Sequence, residues 1–515
     1  MAGKLFAAID VGSYEIELAI YEIIRGREIR RIDHVRHVLA LGRESYHNGR
    51  ISMEMIGDLC DTISGFAEIM RSYGVTEYVA YATSAMREAS NRQIVLDQIL
   101  VRTGISVSVI NNSEQRFMYY KALAVDTDQF EKMIQEGTLI VDVGFGSVQI
   151  SLYDKGHLIT TQNVRLGALR IREMLSDSEG NTFNINRLIE ELVDNDLSTF
   201  RMLYLKDRKI RHMIAIGNNI LYFLKSPESG VPFDESGRIT QEEFKGFHSR
   251  MLSRSPRELA ERFNMPEDFT TLMFPGAMVY ARVLEMTSAE EVWVPAIRFV
   301  DGMAADYASN QKLISLTHDF TADILWAAQA ISKRYMNQTK HTEALERHAC
   351  AIFDGIKKYH GLGRREKLLL RIATILHDCG KYISMSSSAL SAYQIIMATE
   401  IIGLSHRERE IVANVVKFNT LEYHFGLSEP GSKLRKEDET LILKLTAILR
   451  VANAMDRSHK QKFETITVRP KGRELQIINH SDEDISLEKA LFRQKADFFE
   501  EVYGIRPVLK SKKGD

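Results

Sequence analysis

The stretch Ala8-Ile9-Asp10-Val11-Gly12-Ser13 and its near-copy Ile140-Val141-Asp142-Val143-Gly144-Phe145-Gly146-Ser147 decide how this chain reads. Each is an apolar run, an Asp-Val-Gly turn and a return of alternating residues: Ile16, Leu18 and Ile20 in the first copy, Val148, Ile150 and Leu152 in the second. Strand, tight turn, strand is a hairpin whose backbone N–H groups can hold a phosphate while the Asp reaches toward a metal ion or a water. Two such hairpins facing each other predict a cleft for a phosphorylated ligand.

Working outward, the 515 residues exceed what one core supports and predict several domains. Hydrophobic and charged contents of 44% and 26% are those of an ordinary globular protein. A formal net charge of −2 argues against a chain that coats nucleic acid, so no nucleic-acid partner is expected. Cys60, Cys350 and Cys379 have no metal-ligand spacing and cannot build a disulfide framework, which fits a reducing cytoplasm. The opening Met-Ala-Gly-Lys leads straight into a strand, and no window approaches about eighteen consecutive apolar residues. Neither secretion nor a membrane span is expected.

Strand-like alternation over 5–24 and 27–40 flanks the cluster Arg25, Arg27, Arg30 and Arg31, which reads first as a solvated hairpin turn. Helical spacing follows over 52–73 and 91–103, and again around 240–263 and 275–286, with strands near 77–82, 105–110 and 212–216. Strands alternating with helices in two pseudo-equivalent halves predict a duplicated α/β architecture over 1–130 and 131–305. Beyond that the pattern turns almost wholly helical over 306–460. A small α+β region over 461–515 ends the chain.

The first 305 residues resemble the exopolyphosphatase/guanosine pentaphosphatase (Ppx/GppA) family, which has the actin-like, ribonuclease H-like ATPase fold. The two hairpins look like its phosphate loops. Ala82-Thr83-Ser84-Ala85-Met86-Arg87-Glu88-Ala89 looks like its Thr/Ser-Ala-x-Arg-x-Ala motif, and Leu166-Gly167-Ala168-Leu169-Arg170 also follows the pattern. The resemblance implies a Mg²⁺-dependent cleft in which Asp10, Gly12, Ser13, Arg87, Gly144, Gly146 and Ser147 bind phosphate and Asp142 serves the chemistry. It also implies a homodimer. Family members hydrolyse a terminal phosphoanhydride, which requires a carboxylate to take the water's proton. The family's catalytic glutamates fall on Gln115 and Gln149 here, and an amide cannot accept that proton. Tyr14 and Glu15 stand where the family has Asn-Ser, and Glu17 where it has a basic residue. Glu114 remains as a carboxylate that could move into the base role.

In the helical region, His348, His377-Asp378 and Asp456, with Gly380-Lys381 after the second group, resemble the HD superfamily of metal-dependent phosphohydrolases. The resemblance makes the four side chains ligands of Mn²⁺, Fe²⁺ or a similar metal. Taken singly, His348 is more often a packed core histidine, His377-Asp378 a helix cap and Asp456-Arg457 a solvated ion pair. Ser405 and Glu408 are expected to open a helix as a capping box.

Three functions stay open: a phosphohydrolase acting on polyphosphate or guanosine pentaphosphate through a degenerate cleft, a non-catalytic protein that binds such ligands, and a hydrolase whose chemistry lies at the HD site.

Overall fold

The computed structural model describes residues 3–511 apart from 27, 126–127, 177–184, 207, 266, 288 and 423–433. Arg27 of the basic cluster therefore lies outside the described residues. The chain divides into two compact units, Met1–Asp319 and Phe320–Asp515.

The first unit holds two mixed sheets. One contains β1 (Lys4–Val11), β2 (Glu15–Ile24), β3 (Glu28–Val38), β4 (Tyr78–Ala82) and β5 (Ser108–Val109) in the order β3-β2-β1-β4-β5. The other contains β6 (Thr138–Val143), β7 (Val148–Asp154), β8 (His157–Val164), β9 (His212–Ile216), β10 (Arg238–Thr240) and β11 (Glu291–Trp293) in the order β10-β11-β9-β6-β7-β8. In each, the Asp-bearing strand pairs antiparallel with the next strand of its hairpin and parallel with a strand on its other side, β4 or β9. Both Asp-bearing strands are thus central, which explains their unbroken apolar runs: a strand covered on both faces shows no alternation. Ala7, Ile9 and Val11 join one core with the helices Met53–Ser72 and Arg92–Thr103, while Phe6 and Ala8 face the helix Phe299–Asn310 on the other side. That helix runs across residue 305, where the composition shift suggested a boundary.

The helical spacing around 240–263 resolves into two helices, Gln241–Leu252 and Pro256–Phe263. Ser255 and Glu258 form a capping box with Pro256 in the first turn, a start signal strong enough to interrupt the apolar spacing.

The second unit is built on the helices Phe320–Arg334, Thr339–Gly355, Arg364–Leu376, Ser388–Ala398, His406–Phe418 and Lys436–Met455. Ser405 and Glu408 cap the helix His406–Phe418 in both directions, as their spacing requires. A three-stranded sheet of β12 (Ile466–Lys471), β13 (Glu474–Asn479) and β14 (Arg506–Ser511) follows, with the helix Ser486–Tyr503 inserted before its last strand. Tyr503 donates its hydroxyl to the Lys444 carbonyl at 2.8 Å and ties this appendage to the long helix Lys436–Met455.

Gly380 lies where the turn after Asp378 crosses the start of the helix Ser388–Ala398, and a Cβ there would collide with the Ser388 carbonyl and the Ala392 nitrogen. Both obstacles are backbone, so neither can rotate away. Gly380→Ala is expected to destabilise the protein by about 1–3 kcal/mol, read as a shifted midpoint in chemical denaturation.

Candidate functional site

The two hairpins deliver their turns to one cleft in the first unit, lined among others by Asp10, Gly12, Ser13, Glu15, Glu17, Arg87, Gln115, Asp142, Gly144, Gly146, Ser147 and Gln149. The ladders fix what stands beside each aspartate. Glu17 is directly opposite Asp10, and Gln149 directly opposite Asp142. The Gly12 N–H closes its turn on the Glu15 carbonyl at 3.1 Å, and the Gly144 N–H closes on Ser147 at 3.0 Å. Both of these donors are used within the hairpins. Tyr280 braces the second turn by accepting from the Val143 N–H at 3.2 Å and donating to the Ile216 carbonyl. Gly217 beside it has φ 134°, open only to glycine, and a Cβ there would press on that hydroxyl.

The first turn also touches its neighbours. Ser13 Oγ lies 2.7 Å from the Tyr46 hydroxyl and accepts from the Ala85 N–H at 3.2 Å. Tyr14 and Phe145 meet ring to ring at 5.0 Å, so the aromatic residue within the second loop packs against the first hairpin. A Cβ at Gly146 would run into Tyr46 and Ser84, so a larger residue there would need both to move. Arg170 donates to the Gly146 carbonyl at 3.1 Å and to Glu88, with its guanidinium over the Tyr46 ring.

Charge in the cleft is dominated by buried carboxylates. Burial pushes Asp142 up to about 7 against the pull of Arg116. Burial also raises Asp10, helped by the negative charges of Glu17 and Glu15. Asp10 Oδ1 is buried and accepts no hydrogen bond from any described residue. Arg87 donates to the Ile110 carbonyl at 2.9 Å, to Asn112 Oδ1, and to Gln115 Oε1 at 3.5 Å. The structure does not bring Glu114 into this group: its carboxylate accepts from the Asn111 N–H at 2.9 Å and caps its own helix. Asn-Ser-Glu spacing at a helix start could have signalled that cap. A residue the sequence reading missed is Arg116, only 2% exposed, whose Nε donates to Gln149 Oε1 at 3.0 Å.

A second cluster lies in the second unit. His341 Nδ1 is 2.7 Å from Asp456 Oδ2, and its Nε2 is 3.2 Å from His377 Nε2. The His459 ring stacks on His341 at 3.7 Å, and ligand atoms of His341, Asp378 and His459 all lie within 4.8 Å of one another. This group can coordinate a metal ion. His377, Asp378 and Asp456 meet here as expected, but His348 does not: its Nε2 donates to the Phe463 carbonyl at 2.9 Å. His341, two turns earlier on the same helix, holds the place expected of His348. Burial lowers His377 to about 4, so it is neutral in the ordinary pH range. Lys381 pairs with Asp378 at 2.6 Å.

With this geometry in view, the Ppx/GppA phosphatase family model matches residues 20–306, and the model of Ppx/GppA phosphatase domain III matches 326–495. The chain belongs to the Ppx/GppA phosphatase family. Its α/β core of mixed sheets with helical regions is the Ppx/GppA-type fold. A crystal structure of an exopolyphosphatase from Cytophaga hutchinsonii matches with TM-score 0.52 and 18% identity, over 61% of this chain and all of that one. Exopolyphosphatase 1 of Mycobacterium leprae is 26% identical over 191 residues, covering 37% of this chain and 55% of that protein. A guanosine-5'-triphosphate,3'-diphosphate pyrophosphatase of Photobacterium profundum is 20% identical over 416 residues, 80% of each chain. The chain thus spans about half the length of the exopolyphosphatases it matches, at 55% and 48%.

Asp142 carries a linkage consequence. With its folded-state value near 7 against an ordinary 3.8, the folded protein keeps a proton that the unfolded chain has released. Its contribution to stability is full at low pH and is lost as pH rises through that window. Asp142→Asn should therefore flatten the fall in melting temperature between about pH 4 and pH 7, measured by thermal denaturation with chelator present.

Proposed function

We propose that this chain is a phosphohydrolase of the Ppx/GppA type that removes terminal phosphate from inorganic polyphosphate or a guanosine polyphosphate in the cleft between its hairpins. The observation that carries the reading is the convergence on one cleft of Asp10 and Asp142, from matching hairpins of two sheets that share a five-strand order, with Arg87 of the short helix Ser84–Glu88. That equivalence supports an actin-like duplication. Phosphate oxygens would meet the Arg87 guanidinium, a planar donor suited to them. Asp10 and Asp142 suit Mg²⁺, which is held by one or two carboxylates together with substrate phosphates. The buried Asp10 Oδ1 without a hydrogen-bond donor fits that role. Bound there, the ion would neutralise charge on the phosphoryl oxygens. Among the described residues no helix is long and apolar enough to cross a membrane.

A second reading is favoured by the histidine cluster, whose order His341, His377-Asp378, Asp456 supports an HD-type metal site in the second unit. Its tautomers make the case. His341 Nδ1 faces a carboxylate and His377 Nδ1 faces the Thr374 carbonyl at 2.8 Å, so each places its proton there. The two Nε2 atoms then present lone pairs to each other at 3.2 Å, an arrangement that a cation relieves. His341, His377 and Asp378 would hold the ion, with His459 beside them and Asp456 orienting His341. Neutral imidazoles with a carboxylate suit Mn²⁺ or Fe²⁺.

Phosphate release from polyphosphate and from guanosine pentaphosphate, with Mg²⁺, tests the main reading. Asp142→Asn should lower it by about 10²-fold or more. If His341→Ala removes the release and Asp142→Asn spares it, the chemistry belongs to the second unit instead. For the cluster itself, Mn²⁺ should raise the melting temperature of the protein and of His348→Gln, and His341→Ala should abolish the shift.

A further inference from the structure

The hairpins correspond residue for residue, and the correspondence breaks at the two positions that bear on proton transfer. Turn closure gives Glu15 and Ser147 the same place, since each carbonyl accepts from the glycine N–H of its own turn. The ladder gives Glu17 and Gln149 the same place, each opposite an aspartate. All four line the cleft. The second hairpin offers there a hydroxyl and an amide whose oxygen is engaged by Arg116. The first offers two carboxylates.

Those two carboxylates are held differently. Glu17 accepts from Arg298 at 3.0 Å and meets His34 at 3.3 Å. Glu15, only 7% exposed, has Arg36 at 3.5 Å from Oε1, its Oε2 is buried and meets no N–H donor among the described residues, and its carboxyl hydrogen-bonds with that of Glu17. A buried carboxyl on the wall of the cleft, whose neighbours include a second carboxyl, is placed to share and take up a proton.

We propose that the carboxylate that takes the proton from the attacking water is Glu15 of the first hairpin, with Glu17 as the positioning residue beside it. The inference rests on the hydrolase reading above. The water oxygen forms a bond to the terminal phosphorus, the bridging P–O bond breaks with its electron pair leaving on the shortened chain, and the water's proton passes to the Glu15 carboxylate. The environments of the pair agree. Burial raises Glu15, with the charge and hydrogen bonding of Glu17 adding to it, and Arg36 and Arg298 opposing. Burial acts upward on Glu17 too, but His34, Arg298 and Arg36 outweigh it and hold that carboxyl below its usual range. Two carboxyls pushed apart in this way take separate roles, one a standing charge and one a proton carrier. Water therefore attacks from the first-hairpin wall, the side opposite Gln149.

The experiment is the rate of phosphate release from polyphosphate with Mg²⁺ across pH, for the full chain and its variants. Glu15→Gln should lose about 10²- to 10⁴-fold in kcat with an unchanged melting temperature, and formate should return part of the activity of Glu15→Ala. Glu17→Gln removes a negative neighbour and should move the acid limb of the kcat profile to lower pH, set by Asp10, Arg36 and Arg298, which remain around Glu15. Wild-type protein that releases no phosphate overturns both this inference and the hydrolase reading. An active wild type with a fully active Glu15→Gln overturns this inference alone. Loss in Glu15→Ala without return on formate overturns it too and leaves Glu15 a structural part of the hairpin.

Discussion

Asp10 and Asp142 end strands that are covered on both faces, so sliding either ladder by one residue would turn an apolar side chain into the cleft and a carboxylate into the core. That register is the constraint on which the site depends. It gives each aspartate one antiparallel partner, Glu17 or Gln149, within its own hairpin, whose turn is closed by Gly12 or Gly144. Parallel partners β4 and β9 continue to the same edge, where Arg87 and Gly217 follow. Cleft composition is thus decided by a few positions next to two turns, and substitution there changes chemistry without touching the cores.

Burial of so many carboxylates needs compensation, and each hairpin finds it from a different place. On the first side Arg36 comes from β3 and Arg298 from the residue before the helix Phe299–Asn310. On the second side Arg116 reaches from the helix Asn112–Val125, and its charge opposes the burial that lifts Asp142. Gln149 and Arg116 are complementary, the amide oxygen accepting from the guanidinium. A glutamate at Gln149 would sit against a guanidinium and be held ionised, a poor proton carrier.

The hairpins and their shared cleft were legible because a turn and its flanking strands are local: Asp-Val-Gly with alternating residues after it leaves few alternatives. Capping at Ser405 and Glu408 was legible for the same reason. Distance along the chain hid the rest. Arg116 reads as one more helical arginine until the sheet that carries Gln149 is placed beside it. His341 and His348 share a helix face at a spacing of two turns, and the sequence has no means of telling which end meets His377; the Asp456 carboxylate, far along the chain, decides. Glu114 lay closest to the expected base, and its own helix start claims it. Glu15 and Glu17 read as departures from a pattern, and only the pairing register shows them to be the counterparts of Ser147 and Gln149.

Both candidate centres gather buried groups whose lone pairs have no donor to face, but the atoms differ. The cleft's acidic donors are carboxylates with no imidazole among them, suited to a hard ion that keeps much of its water and shares its shell with phosphate. The cluster in the second unit presents imidazole nitrogens with one carboxylate, a set that favours later transition metals over Mg²⁺. Mn²⁺ suits carboxylate oxygens as well as an imidazole set, so it is the side chains, Asp142 in the cleft or His341 in the second unit, and not the metal alone, that tell the origin of any hydrolysis apart.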